Sequence, residues 1–205
     1  MFSLPDHMQA SGLHARFLTF ADLAALQGLR NEVLASLPNP DLYVREADEP
    51  SFLKSHIDRA RSGGEAIGVF DGGRLAAYGM LSLPLAHDPD NLGCFLGYEP
   101  EQLAKTAHLA SCMVSPAYRG RQLQRFLLSA RMSLAMERGR DVCIAMVSLL
   151  NHNSRANLLR EGLRVVWVGE IGGVQRQLMA AELPARAASA SQKKGLTPRQ
   201  ATLHS

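Results

Sequence analysis

The stretch Val114-Ser-Pro-Ala-Tyr118-Arg119-Gly120-Arg121-Gln122-Leu123-Gln124 joins a strand-like run to a helix-like one, and its turn decides how the chain is read. Upstream, His108-Leu-Ala-Ser-Cys112-Met-Val114 is apolar and sulfur-rich, the pattern of a short buried strand. Pro116 ends it, because proline has no N–H to give a ladder. Downstream, from Gln122 to about Arg138, the residues Leu123, Phe126, Leu127, Ala130 and Leu134 recur at helical spacing. The turn is small, flexible at Gly120, and carries Arg119 and Arg121. A helix that opens from such a turn aims its unpaired backbone N–H groups, and the positive end of its dipole, at one spot. The turn is therefore a candidate anion site of the kind that takes phosphate.

The 205 residues suit one domain with a full core. A composition of 46% hydrophobic and 20% charged residues is that of a globular protein. No apolar run approaches the roughly 18 residues needed to cross a bilayer. Met1-Phe-Ser-Leu-Pro-Asp6 has neither a basic flank nor an apolar signal core, so a cytoplasmic location is expected. Cys94, Cys112 and Cys143 are odd in number and far apart, which argues against a disulfide framework and a zinc knuckle; no metal is expected. The net charge of +3 sits in the tail, where Arg186, Lys193, Lys194 and Arg199 follow Pro184 without an acid. With the tail set aside the rest carries −1, so neither nucleic acid nor a membrane is expected as a partner. A nucleotide-binding Gly-Lys-Ser/Thr triplet and a Gly-x-Gly-x-x-Gly run are both missing.

Along the chain, residues 1–13 read as a flexible lead-in and 14–183 as the folded domain. The segment 184–205, small, polar and basic with no apolar period, reads as a disordered tail. A first strand is expected at His14–Phe20. Helices follow at Asp22–Ser36, broken at Asn39-Pro40, and at Pro50–Arg61, ended by Gly63-Gly64. Ala66–Phe70 and Arg74–Leu83 flank Asp71-Gly72-Gly73 and predict a hairpin. Pro84 to Gln102 is a long irregular connector, suited to shaping or covering a pocket. Val142–Leu149 predicts a buried strand, Asn151–Ser154 caps a short helix ending at Gly162, and Leu163–Val168 and Val174–Met179 close the pattern. The order β-α-α-β-β-β-α-β-α-β-β implies an α/β fold with a mixed parallel and antiparallel central sheet flanked by helices.

With Val114-Ser-Pro-Ala-Tyr-Arg119-Gly120-Arg121 followed some 30 residues later by Asn151-x-x-Ser154 and Glu161-Gly162-Leu163, the chain resembles the GNAT superfamily of N-acetyltransferases over His14 to Leu183. The resemblance implies a single GNAT-like domain whose Arg/Gln-x-x-Gly-x-Gly/Ala loop cradles the pyrophosphate of acetyl-CoA. Here that loop is Arg119, Gly120, Arg121, Gln122, Leu123 and Gln124, with Gln122 and Gln124 where glycines are usual. Gln still offers its backbone N–H, provided the side chain points away from the phosphates. Asn151 and Ser154 fall on the family's second motif, where Asn151 would contact the pantetheine arm. As a helix cap Asn151 has a structural reason as well. Leu158 stands where many relatives carry a tyrosine that protonates the leaving thiolate; Tyr98, Tyr118 or solvent must then do so.

The implied reaction is direct attack by an amine, of a small molecule or a peptide, on the acetyl thioester. Backbone N–H groups near Met113 or Val114 would polarise the carbonyl. Relatives often carry a carboxylate base early in this strand; this chain has His108 instead. The plainer reading of His108 is a strand histidine satisfied by a carbonyl, and that of Cys112 a small core residue. A catalytically weak acyl-CoA-binding sensor of the same fold is the rival expectation. A second copy of the chain, as a homodimer, is the one macromolecular partner left open.

Overall fold

The computed structural model describes residues 2–43, 49–57 and 64–184. Seven strands form one sheet: β1 (Leu13–Phe17), β2 (Gly64–Asp71), β3 (Arg74–Ser82), β4 (Thr106–Val114), β5 (Val142–Ser148), β6 (Arg164–Ile171) and β7 (Val174–Glu182). They lie in the order β1-β2-β3-β4-β5-β7-β6. Among the described residues only β4 and β5 are parallel neighbours, and every other pair is antiparallel. The α/β class and mixed sheet expected from the element order are present.

Strand alternation divides the core between the two faces. On one face Leu26, Leu29 and Val33 of helix α2 (Leu23–Ala35) and Leu53 and Ile57 of α3 (Glu49–Ile57) pack on Ala66, Phe70, Tyr78, Met80 and Met113. On the other, α5 (Leu123–Glu137) and α6 (His152–Arg160) pack Leu123, Leu127, Leu134 and Leu158 on Ile67, Val69, Leu109 and Val147. Burying one such side chain contributes about 1.5–3 kcal/mol, so each face is held by several strong contacts. The helix expected to Arg61 is seen to Ile57; its expected end, like residues 185–205, lies outside the described residues.

Two segments depart from the sequence reading. Residues 2–12, expected to be flexible, are folded: α1 (Asp6–Gln9) and the turn before it bury Leu4 and Met8 in the α5-side core. Phe2 bridges Ala15 on the outer edge of β1, with its ring 4.8 Å from that of Phe17. Two apolar residues four apart are too short a pattern to distinguish from chance. The connector from Pro84 is likewise ordered, with a 3-10 turn at Leu92–Leu96 and helix α4 (Pro100–Leu103). Asn91, wholly buried, donates Nδ2 to the carbonyls of Leu85 (3.2 Å) and Leu103 (3.1 Å) and accepts from Gly93 N–H (3.0 Å). Arg140 donates to the carbonyls of Leu83, Pro84 and Ala104, which clamps both ends of the segment.

Candidate active site

The site begins with a strand pair that comes apart. β4 and β5 pair only from Thr106–Val142 to His108–Ile144, although β4 runs on to Val114 and β5 to Ser148. One cause is an extra residue in β4: Leu109 opposes Leu81 and Cys112 opposes Gly79, three steps against two. Such a bulge bends its strand and increases the local twist. The consequence is unusual for the centre of a seven-stranded sheet. His108, Ala110, Ser111, Cys112 and Val114 are all partly open, whereas β3 beside them is buried through seven consecutive residues. Ligands of α/β sheets bind beyond the carboxyl ends of parallel strands where their connections diverge, and β4–β5 is the only parallel pair among the described residues.

Both strands run into helices whose N-termini flank this opening. After β4, Pro116–Tyr118 forms a 3-10 turn held by Ser115 N–H on Ala76 O (2.9 Å), Ser115 Oγ–H on Glu32 (2.9 Å) and Tyr118 O–H on Asp71 (2.9 Å). The next residues, Arg119 to Gln122, are exposed. The first α5 amide with a backbone acceptor is Phe126, on Gln122 O (3.1 Å). The N–H groups of Leu123, Gln124 and Arg125 thus open the helix with no acceptor among the described residues, as an anion cradle requires. Gln122 has φ 60°, ψ 15°, the one non-glycine residue with positive φ among the described residues. It adopts the left-handed conformation that a glycine would take without strain. Its Oε1 accepts from Arg125 Nη1 (3.3 Å).

Gln124 points sideways to α6. Its Nε2 donates to Ser154 Oγ (3.1 Å), and its Oε1 accepts from Asn157 Nδ2 (2.7 Å), tying together the first turns of the two helices. Asn151 caps α6 through Oδ1 on Ser154 N–H (3.0 Å), which leaves its Nδ2 for another acceptor. Arg119 donates to Ser36 Oγ (2.8 Å) and Arg121 lies over the Tyr118 ring, 5.0 Å from its centroid. Met113 and Val114 pair with Tyr78 and Ala77; the Met113 side chain is buried under α2 and Val114 lies toward α5. The expected cofactor residues therefore collect at one end of the opening, on β4, α5 and α6.

Sequence reading missed the groups around the bulge. Arg131 is fully buried under Gly79, whose missing Cβ would sit 2.8 Å from the Arg131 Nε. It donates to the carbonyls of Leu127 (2.9 Å), Met80 (2.9 Å) and, at the bulge itself, Ala110 (3.1 Å). Its Nη2 has no partner among the described residues, and no carboxylate pairs with it there. The signal for it was legible: Arg131 follows Leu123 and Leu127 on the core-facing side of α5. On the opposite face Tyr43 and Ser111 share a hydrogen bond of 2.6 Å, with the Tyr78 hydroxyl buried beside them and its pKa raised by burial. The Tyr43–Ser111 pair spans 68 residues and has no local signature.

His108 is neutral. Its Nε2 accepts from Leu92 N–H (3.1 Å), and burial, with Arg140 nearby, pushes its pKa down to about 4. The partner is an N–H, not the carbonyl the sequence suggested. Opposite it across the β3–β4 ladder, Ser82 Oγ lies 2.6 Å from His56 Nε2, and His56 Nδ1 lies 2.9 Å from Phe52 O. Burial lowers the His56 pKa too. Tyr118, one of the two acids considered, is committed to Asp71, and Tyr98 packs beside Gly93 in the connector. Burial raises the Cys112 thiol and lifts Cys143 to about 12, so neither is a thiolate at neutral pH. Leu158 is buried in the α5-side core. Among the described residues no three His, Cys, Asp or Glu side chains converge as a metal site, and no helix is long and apolar enough to cross a membrane.

A half-open central strand, a helix N-terminus at its end and a capped second helix alongside make this α/β domain's candidate ligand site. The profile of the Acetyltransferase (GNAT) family matches residues 31–160, and the chain belongs to that family. No curated protein matches it in sequence. Solved structures share its fold at low identity. The putative acetyltransferase yncA of Salmonella typhimurium, solved with its cofactor acetyl-CoA, is 21% identical over 88% of this chain and 99% of its own, with a TM-score of 0.63. Arabidopsis thaliana NAA60 in complex with acetyl-CoA is 13% identical over 83% and 98%, with a TM-score of 0.66. The Escherichia coli ribosomal-protein-S18-alanine N-acetyltransferase is 16% identical over 87% and 97%, with a TM-score of 0.60.

Proposed function

We propose that the protein transfers the acetyl group of acetyl-CoA to a primary amine of a small molecule or peptide by direct attack. The observation that carries this reading is the opened β4, partly exposed from His108 to Val114 in the middle of the sheet. The pyrophosphate is assigned to the amides from Arg119 to Gln124, and the pantetheine arm to the gap between β4 and β5 beside Asn151 Nδ2. The thioester then reaches the bulge. There a strand N–H near Met113 donates to the developing oxyanion, and the buried Arg131 charge below the Ala110 carbonyl favours negative charge at that spot.

Proton movements are assigned to side chains on and beside the same strand. His108 is the proposed base; its lone pair must first exchange Leu92 N–H for the amine proton. A pKa of about 4 makes it a weak acceptor, which suits an amine that arrives already neutral. With Leu158 unable to protonate the thiolate, the Tyr43–Ser111 hydroxyl pair at the bulge is the proposed source, with solvent as the alternative. The buried Leu158 and the engaged His108 support one second reading, a sensor that binds acyl-CoA without turnover.

Calorimetry with acetyl-CoA, followed by thiol release against a panel of amines, separates the two. Micromolar binding with amine-dependent thiol release supports the enzyme; binding with no turnover on any amine leaves only the sensor. Arg119→Ala should weaken coenzyme A binding by about 1.5–3 kcal/mol, the range for hydrogen bonds to charged groups. An unchanged affinity would place its guanidinium away from the phosphates.

A further inference from the structure

Acetyl-CoA, as proposed, takes the gap between β4 and β5 from the side of α5 and α6, which leaves the opposite face to the amine. On that face one short segment ties the two sides of the gap together. The Asp41 carbonyl accepts from Arg176 Nη1 of β7 (2.7 Å), and Tyr43 shares its 2.6 Å hydrogen bond with Ser111 of β4. Two residues of chain reach at most about 7 Å, so both contacts belong to one narrow span. Strand alternation puts Arg176 on this face. Its neighbour Gln177 opposes Val147, which packs in the α5-side core, while Arg176 opposes Ser148 and faces the other way.

Arg176 is a costly residue to bury. It is 3% exposed, and a charge taken out of water destabilises a fold unless it is paired. No salt bridge engages it among the described residues, and Asp41, the acid beside it, is exposed. Burial lowers its pKa and the Asp41 charge offsets part of this, while a guanidinium stays protonated at neutral pH. Arg131, also fully buried, is held by three carbonyls; Arg176 is held by one. That single bond uses Nη1. Nε, on the other side of the guanidinium, is buried without a partner, and Nη2 next to it donates to no described residue. The Nε–Nη2 edge carries two parallel N–H groups, the arrangement that takes both oxygens of a carboxylate.

We infer that Arg176 receives the carboxylate of the acceptor, and that the acceptor is a small amino acid whose amine lies a few bonds from that carboxylate. The carboxylate sits on the Nε–Nη2 edge, and the amine reaches the thioester at the β4 bulge beside Tyr43 and Ser111. An amine that carries further positive charge in place of the carboxylate is repelled at the same spot. The inference rests on the acetyl-transfer reading for the fate of the amine, but its anion site is testable without turnover.

Thiol release is measured with the proteinogenic L-amino acids, each beside its primary amide, which keeps the amine and removes the carboxylate charge. At least one amino acid should exceed its amide by about 10- to 100-fold in kcat/KM, the range for hydrogen bonds to a charged group. Arg176→Gln should abolish that preference, chiefly through KM, and leave the kcat/KM of the amide nearly unchanged. Circular dichroism checks its fold; Arg176→Lys, which keeps the charge without the paired N–H edge, takes its place if the Gln variant is unfolded. A folded variant that uses acid and amide equally less well would show a structural role only and overturn the inference. Equal use of acid and amide by the native protein would also overturn it, although acetyl transfer would then stand. Turnover of no amine overturns acetyl transfer instead. Calorimetry of the same pairs with coenzyme A present then decides the anion site: it stands if an amino acid binds the native protein while its amide does not and Arg176→Gln abolishes that binding, and it falls otherwise.

Discussion

At the scale of single residues, Gln122 is where sequence and conformation disagree most sharply. The backbone at the mouth of the proposed anion cradle needs φ near +60°, and the chain supplies a residue with a Cβ. An L-residue in that region costs about 1–2 kcal/mol, and glycine loses part of this gain through a freer unfolded chain. Gln122→Gly should therefore stabilise the protein by about 0.5–1.5 kcal/mol in urea unfolding. A loss of stability would mean that the Gln122–Arg125 contact outweighs the strain. Gln124 is different. Its side chain leaves the helix end sideways to Ser154 and Asn157, and so meets the condition under which a non-glycine is tolerated there. Arg131 could have been picked out from its place in an apolar stripe. Its contact with Ala110 could not, because that carbonyl lies 21 residues away on another element.

At the scale of elements, those with a sustained period were legible: α5, the β2–β3 hairpin, β5 and the capped α6 lie where the apolar spacing put them, within a few residues. Short elements without a period were not, and the lead-in is the clearest case. Removing residues 2–12 takes Leu4 and Met8 out of the α5-side core and bares the outer edge of β1. At about 1.5–3 kcal/mol for each of these two buried side chains, the loss should come to about 3–6 kcal/mol, read from urea midpoints. A change below about 1 kcal/mol would show that the segment only rests on the surface. The bulge in β4 was also invisible. It appears only when the strand is counted against β3, and it is one cause of the opening beside β4.

At the scale of the whole molecule, stability should depend on pH through buried histidines before it depends on acids. His108 has a folded pKa of about 4 against 6.5, and that of His56 is also lowered, so the fold favours both in the neutral form. Their stabilisation is complete above about pH 6.5 and is lost as pH falls toward 4. Asp22, held near 2 by Arg16, keeps its contribution until pH falls below its unfolded value of 3.8. Denaturant unfolding at pH 7 and pH 5 should thus differ, and His108→Asn should remove about 1–2 kcal/mol of that difference. A variant with the slope of the native protein would show that His108 takes up its proton without losing Leu92.

The sequence by itself determined the class of fold, the order of its elements, the candidate anion turn and the motifs that imply acetyl-CoA. These are local: periodicity, a proline, a cap and a turn each act within a few residues. Only the tertiary structure decided what lies across from what. Arg131 beneath the bulge, Tyr43 against Ser111, His56 against Ser82 and His108 under Leu92 N–H are contacts between distant segments, set by strand register and helix packing. The chemistry of the site depends on those contacts, because burial and hydrogen-bond partners set the charge a side chain carries, whatever its identity.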